Sequence, residues 1–174
     1  MGWLFRDLED GPLLAETFAP SKKPTVHGYR TFAVVDDRFL NDCEPAIVEG
    51  IRSVTDQLHA LGLRSTTIEL DWCHDAFEIF APIQAWEAAR IHAGHFEKIQ
   101  PALRERLVWG TRITDSELAI LRERHAEFRA RLDDLFCDHH LILLPASPVA
   151  RLDVGEDNSQ ARSRILRYTV PFSL

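Results

Sequence analysis

The feature that most constrains the fold is a strand–helix–strand pattern in the first half of the chain. Tyr29 to Val35 is rich in β-branched and aromatic residues and ends at two aspartates, which predicts a buried strand. The helix that follows is predicted to begin with Asn41 or Asp42 as its cap and to stop at Gly62. Ser65 to Leu70 is predicted to be a second strand. Such a unit is the usual right-handed crossover between parallel strands.

The second half of the chain is predicted to be mostly helical. Leu141 to Leu144 is apolar on both faces, which predicts a short strand in the middle of a covered parallel sheet. The predicted helices run from Asp75 to about Ile99, from Pro101 to Trp109, and from Thr114, which starts a capping box with Glu117, to about Phe136; a loop over Arg151–Gln160 precedes one further turn of helix. We therefore expect an α/β fold with a small, mainly parallel sheet of about three strands and several flanking helices, as a single domain over residues 1–174.

Composition and charge restrict the classes of partner. The 174 residues carry a formal net charge of -7, which disfavours nucleic acids and anionic membrane surfaces because their phosphates would be repelled. No apolar run approaches the roughly 20 residues of a membrane-spanning helix, and the start of the chain lacks signal-peptide features. Cys43, Cys73 and Cys137 are too few and too scattered for a disulfide framework. These features predict a cytoplasmic protein with reduced thiols, no nucleic-acid partner and no membrane partner.

Two short clusters contain residue types that bind metals. Asp71–Asp75 and Cys137–His140 both lack the paired ligand spacing of zinc sites, and both lie where helices and strands meet and polar side chains commonly cap. A triad built from Ser147, His139 and Asp138 would lack a nucleophile elbow and a glycine-lined oxyanion hole. We therefore expect no metal site and no cofactor.

Four stretches match, in order, the pattern of one enzyme family. Gly2–Asp10 resembles its "G-W-F-A-R-D-V-E-D", and Phe136–Pro148 resembles its "D-x-L-L-x-P-x-x-P". Arg151–Gln160 and Ile165–Leu174 resemble the "G-A-D-H-S-Q-T-R" and "L-R-Y-T-x-P-F-S-L" of one subset. The family is the amidase-signature hydrolases, and these stretches cover the part that follows its Ser/Gly-rich catalytic segment. The resemblance implies a partial amidase-signature fold.

The same resemblance implies which catalytic groups an active enzyme needs. These enzymes cleave amides with a Ser nucleophile that a Lys activates through a bridging Ser on a cis peptide, within a glycine-rich loop. This sequence has no Gly-Gly, Ser-Ser or Gly-Ser dipeptide, and its lysines are Lys22, Lys23 and Lys98. Ser21 beside Lys22 lies in a predicted exposed loop, without the burial that tunes a pKa. We expect no catalytic residue in this chain and no amide hydrolysis by it alone.

Three residues are candidates for binding or supporting a substrate. Leu103–Gly110 resembles the "R-R-I-M-L-G" of the family's glutamine-using branch and puts Arg106 at the position that helps hold the substrate; an exposed helix arginine is the alternative. Arg167 and Tyr168 resemble positions that approach the family's active-site cleft. That branch has an Asp where this chain has Leu166, which argues against glutamine and leaves the substrate class open.

Hypotheses of different classes therefore remain. One is an amidase-like chain that is inactive by itself and associates with a chain carrying the missing catalytic segment. Another is a stand-alone non-catalytic domain that uses an amidase-type scaffold for binding or assembly, for example as a homo-oligomer. A third is a new hydrolase that uses Ser147 and nearby histidines. The first predicts an exposed apolar surface where the missing strands would pack, and the apolar ending Tyr168–Leu174 suits either a docked tail or a longer chain.

Overall fold

The computed structural model describes residues 7, 10–18, 28–139, 141–155 and 157–173. Its elements are α1 (Asp10–Phe18), β1 (Thr31–Val35), α2 (Asp37–Leu40), α3 (Pro45–Ala60), β2 (Arg64–Ile68), α4 (Ala76–Ile91), α5 (Pro101–Thr111), α6 (Asp115–Asp138), β3 (Ile142–Leu143) and α7 (Ser159–Thr169), with 3₁₀ turns at Asp71–Asp75 and Phe96–Lys98. A membrane-spanning helix would need a longer and more apolar segment than any helix in these ranges provides. The predicted α/β class, with a small parallel sheet and flanking helices, is confirmed.

β1 is the central strand of a parallel sheet with the order β2-β1-β3. Ala33 of β1 pairs with Thr66 of β2 on one side and with Ile142 of β3 on the other. Phe32 and Ala33 point to opposite faces, and both are buried, so β1 is covered on both sides. The prediction that Leu141–Leu144 lies in the middle of the sheet is wrong for the described strands, because β3 lies at an edge and is only half-buried.

The connection from β1 to β2 through α3 follows the predicted pattern except at the start of the helix. Gly62 has a φ of 86° and ends the helix as predicted. The predicted cap at Asn41 or Asp42 is wrong, since the N-cap is Glu44 and its side chain forms no capping hydrogen bond. Asp42 instead accepts a hydrogen bond from Nε of Arg164 in α7, at 3.0 Å. A long-range ion pair therefore replaces the local cap.

The helix predicted from Asp75 to Ile99 is interrupted. α4 ends at Ile91, and Gly94 adopts a φ of 79°, which a glycine does without steric cost. Arg104 of α5 then holds the turn that follows. Its guanidinium donates hydrogen bonds of 3.0 Å to the carbonyl oxygens of Phe96, Glu97 and Ile99. This side chain satisfies carbonyl groups that a continuous helix would have paired internally.

The start of α6 is the capping box predicted from the sequence. The Thr114 hydroxyl accepts a hydrogen bond from the Glu117 amide at 3.2 Å, and the Glu117 carboxylate accepts one from the Thr114 amide at 2.8 Å. The bonds from Thr114 lower the pKa of Glu117 below its ordinary value. α6 then runs along α4 and buries Phe128 and Leu132 in the core.

α4 and α5 approach each other closely at Gly110. A Cβ atom on Gly110 would lie 2.0 Å from the carbonyl oxygen and 2.4 Å from the carbonyl carbon of Ala85. The facing surface of α4 is small, because Ala81, Ala85 and Ala89 recur every four residues and are all buried. The two backbones can meet only because neither helix has a larger side chain at the contact.

α7 contributes more to the core than its predicted single turn. It forms a helix from Ser159 to Thr169, and Tyr168 and Val170 at its end are almost fully buried. Both belong to the same apolar cluster as Phe39 and Leu70, which follow β1 and β2. The sheet, α6 and α7 are therefore joined around one core.

The close contact at Gly110 makes a specific prediction about stability. Gly110→Ala should lower the free energy of unfolding by about 1 to 3 kcal/mol, because the backbones of α4 and α5 must separate to accept the new methyl group. Chemical denaturation followed by circular dichroism would measure the change.

Gly50 in α3 provides the matched control. It is exposed, and nothing lies within 4 Å of a Cβ at that position. Gly50→Ala should therefore raise the free energy of unfolding by about 1 kcal/mol through helix propensity alone. Equal effects of the two substitutions would contradict the close contact between α4 and α5.

Candidate functional site

The carboxyl end of β1 is where the strand order favours a site. From β1 the chain passes to β2 on one side, and it later reaches β3 on the other side. In sheets of parallel strands, ligands bind at such reversals, outside the carboxyl ends of the strands. α2 follows β1 directly at this end, and Tyr168 of α7 packs against Phe39 of α2. The candidate residues of α7 therefore lie near the carboxyl end of β1, where a site is expected.

Tyr168 is a buried anchor at this edge. Its hydroxyl donates a hydrogen bond of 3.0 Å to the Phe39 carbonyl oxygen and accepts one of 3.3 Å from the Cys43 thiol. Its ring meets the Phe39 ring edge to face, with centroids 5.2 Å apart. Burial raises the pKa of Tyr168 above its ordinary value, and the bond to Cys43 adds to this. Since only 1% of Tyr168 is exposed, the residue positions α7 and presents no hydroxyl to a ligand.

Arg167 lies beside this anchor and is half-buried. Its guanidinium carbon lies 5.8 Å from the centre of the Phe39 ring and 5.7 Å from that of Tyr168. Its Nη2 is 3.5 Å from Nε2 of His74, at the long end of hydrogen-bonding distance. Its Nε is buried and has no hydrogen-bond partner. Arg167 therefore has donor groups that the described residues leave unused.

Arg106, the third candidate, approaches α7 from α5. Its Nη2 donates a hydrogen bond of 2.6 Å to Oε1 of Gln84 in α4. Burial lowers its pKa, and the positive charge of Arg162 in α7 lowers it further. No hydrogen bond joins Arg106 to Arg167 or Tyr168 within the described part of the chain. Arg106 therefore lies near α7, but its contacts are separate from those of Arg167 and Tyr168.

Several acidic groups near the carboxyl ends of β1 and β2 are paired with other arginines. Arg38 lies 2.8 Å from Asp36, 2.5 Å from Glu69 and 3.7 Å from Asp71, and so it joins the ends of β1 and β2. The hydrogen bond from Arg38 lowers the pKa of Asp36. Arg164 binds both the side chain and the backbone carbonyl of Asp42.

The structure gives the alternative nucleophile a local role. The Ser147 hydroxyl donates a hydrogen bond of 2.7 Å to the Val149 carbonyl oxygen and accepts one of 3.2 Å from the Val149 amide. These bonds close a turn of the backbone, and none of the hydrogen bonds in the described residues joins Ser147 to a histidine. Ser21, Lys22 and His140 lie outside the described residues.

The two metal-type clusters do not converge in the part of the chain that the structure describes. No group of three or more histidine, cysteine, aspartate or glutamate side chains there could hold a metal ion. Cys73 is buried in the core, while Cys137 is exposed at the end of α6. His74, which the sequence suggested only as a cap or ligand, instead lies beside Arg167.

Solved structures share this fold. A crystal structure of an amidase matches 97% of this chain and 41% of its own chain, with a TM-score of 0.79 and 24% identity. The fold is amidase-like. An inhibitor-bound complex also matches, from work on a vestigial protein complex and the evolutionary origins of an s-triazine catabolic enzyme. It matches 76% of this chain and 29% of its own, with a TM-score of 0.63 and 17% identity.

These matches show the fold alone. The amidase-like chain spans less than half the length of either matched protein. No family model matches the sequence, and no curated protein matches it either. The similarity therefore establishes an amidase-like scaffold, on which the roles of individual residues are inferred from their geometry.

Sequence reasoning missed the partners of the candidate residues. Cys43 and His74 contact Tyr168 and Arg167 across 125 and 93 residues of sequence, respectively. Neither belongs to a motif that connects it with α7. The available signal was the apolar run that begins at Tyr168, and Tyr168 and Val170 of this run are buried.

The anchoring role of Tyr168 predicts a loss of stability. Tyr168→Phe should lower the free energy of unfolding by about 1 to 3 kcal/mol, because the Phe39 carbonyl would lose its donor in a buried setting. Cys43→Ala removes only a weak thiol donor and should cost less. Urea unfolding of both variants provides the comparison, and wild-type stability of Tyr168→Phe would contradict the role.

The buried thiol of Cys73 and the exposed thiol of Cys137 should differ in reactivity. Burial raises the pKa of Cys73 from 9.0 to about 12, so this thiol stays protonated at pH 8. A disulfide reagent should modify the exposed Cys137 in the native protein, and Cys73 only after unfolding. Kinetics at pH 8 with and without urea, with Cys137→Ser as control, would measure this. Rapid modification of native Cys73 would contradict its burial.

The same raised pKa gives a direction for the dependence of stability on pH. Well below pH 9, Cys73 is protonated in both the folded and the unfolded chain, and its contribution to stability does not change with pH. Between pH 9 and about 12 the unfolded thiol loses its proton first, so the free energy of unfolding should fall as the pH rises. Urea unfolding of the wild type and of Cys73→Ala at several pH values would measure this fall, which should be smaller in the variant.

Proposed function

We propose that these residues form the substrate-side part of an amidase-type hydrolase, an enzyme that cleaves carbon–nitrogen amide bonds. The observation that carries this proposal is the match of 97% of the chain to a crystal structure of an amidase. The order of the sequence motifs agrees with it. We further propose that residues 1–174 act as one domain in this role.

Amide hydrolysis needs a nucleophile, a base and donors for the developing oxyanion. Ser147 keeps its hydroxyl within a local turn, and Lys98 is exposed on a short 3₁₀ turn. The sequence contains no Gly-Gly, Ser-Ser or Gly-Ser dipeptide for a glycine-rich catalytic loop. We therefore propose that the chain is inactive by itself and that the nucleophile comes from a segment of the Ser-cisSer-Lys type outside these residues.

The part that this chain would play is to hold and orient a substrate. Arg167 would supply hydrogen-bond donors at the carboxyl end of the sheet, since only its Nη2 has a neighbour, His74, among the described residues. Tyr168 would keep α7 in place through its bond to Phe39. Arg106 would add a second positive charge beside α7.

A chain that packs against a catalytic segment needs an apolar surface, and several exposed side chains could provide one. α4, α5 and α6 border a largely apolar groove of about 310 Å³. It is lined by Pro82, Trp109, Ile113, Glu117, Ile120 and Leu121. Outside this groove, Leu61 and Ile91 are each 76% exposed. Such exposed apolar side chains favour an interface, and they also favour the alternative function of a non-catalytic assembly domain, including a homo-oligomer.

A serine-directed fluorophosphonate would test the proposal. After treatment of the purified chain, the intact mass should show no adduct, because Ser147 is held in a local turn and the sequence has no glycine-rich catalytic loop, while an active amidase treated in parallel should be labelled. A stoichiometric adduct that disappears when one serine is replaced would overturn the proposal. Ser147→Ala is the first variant to compare, since Ser147 is the candidate nucleophile in the alternative triad.

A further inference from the structure

Arg167 has an unusual combination of burial and free donors. An arginine side chain carries five N–H donors and accepts none. Of these, one on Nη2 faces His74 at 3.5 Å, and the donor on Nε is buried without a partner. Because Nε is covered, a ligand would reach Arg167 through its Nη groups, of which only Nη2 has a neighbour, His74, among the described residues.

None of the ion pairs among the described residues includes Arg167. On the same helix, Arg164 is bound to Asp42. Glu69 and Asp71, at the end of β2, lie against Arg38. Arg167 is thus a positive charge that these acids leave without an ion-pair partner.

The surroundings of Arg167 would strengthen a bond to an anion. The rings of Phe39 and Tyr168 lie within 6 Å of its guanidinium and replace water near it. In such a setting the effective dielectric is lower, and a hydrogen bond to a charged group is stronger than in water. His74 is exposed beside the guanidinium and offers a further nitrogen to a group that bridges the two side chains.

We propose that Arg167, with His74, binds a carboxylate group of the substrate, so that the substrate is an amide that also carries a carboxylate. This inference rests on the proposed function and deepens it. A single guanidinium supplies one positive charge and a planar fork, which fits a carboxylate in two-point contact. A phosphate dianion fits less well, because the net charge of -7 and the acids at the sheet edge oppose a second negative charge.

The experiment compares two small ligands of the same size with the purified chain. Succinamate carries an amide and a carboxylate, whereas succinamide carries two neutral amides. Titration by isothermal calorimetry should show that succinamate binds about tenfold or more tightly than succinamide, as expected for a charge-assisted hydrogen bond. Equal binding of the two ligands, or no binding of succinamate, would overturn the proposal.

Variants connect the preference to the named residues. Arg167→Gln should weaken succinamate binding about tenfold and leave succinamide unchanged. Arg167→Lys keeps the charge but loses the fork, so it should also weaken binding. Arg129→Gln, at an exposed position of α6, removes the same charge and should have no effect. Circular dichroism confirms that each variant is folded, and an unchanged preference in folded Arg167→Gln would overturn the proposal.

This outcome is separate from that of the proposed function. A serine adduct with fluorophosphonate would overturn the view that the chain lacks its own nucleophile, but it would leave a preference for succinamate intact. Loss of that preference without an adduct would overturn the carboxylate site alone.

Discussion

The hydrogen bond from the Tyr168 hydroxyl to the Phe39 carbonyl oxygen joins α7 to the carboxyl end of the central strand. The two residues are separated by 129 positions in the sequence, so this bond connects two distant parts of the chain. The edge-to-face contact of the rings and the thiol of Cys43 act at the same point. The location of Arg167 depends on this contact, because Arg167 is the neighbour of Tyr168 on the same helix.

Elements whose causes are local could be predicted from the sequence. Gly62 ends a helix because it adopts a left-handed conformation, and Thr114 starts one because Glu117 is three residues away. The errors came from partners that are distant in sequence. Asp42 had the chemistry of a cap, but Arg164 takes its carboxylate. The apolar pattern of Leu141–Leu144 gave the presence of a strand, but not its place at the edge of the described sheet.

The candidate site could be predicted only in part from the sequence, again because its contacts join residues that are distant in sequence. A resemblance drew attention to Arg167 and Tyr168, which are adjacent, but it could not supply their contacts. Burial decides that Tyr168 is an anchor, and the lack of an ion pair among the described residues decides that Arg167 has donors to offer. The position of His74 beside Arg167 follows from how the 3₁₀ turn after β2 packs near α7. No local pattern encodes that packing.

The close contact at Gly110 has a consequence for the charges of the molecule. Arg106 lies about one turn before Gly110 on α5, and Gln84 directly precedes Ala85 on α4. The hydrogen bond between Arg106 and Gln84 therefore spans the same pair of helices, next to the point where their backbones touch. Gly110 thus sets the distance between α4 and α5 across which Arg106 bonds to Gln84. The position of the Arg106 charge beside α7 therefore depends on a steric contact between two main chains.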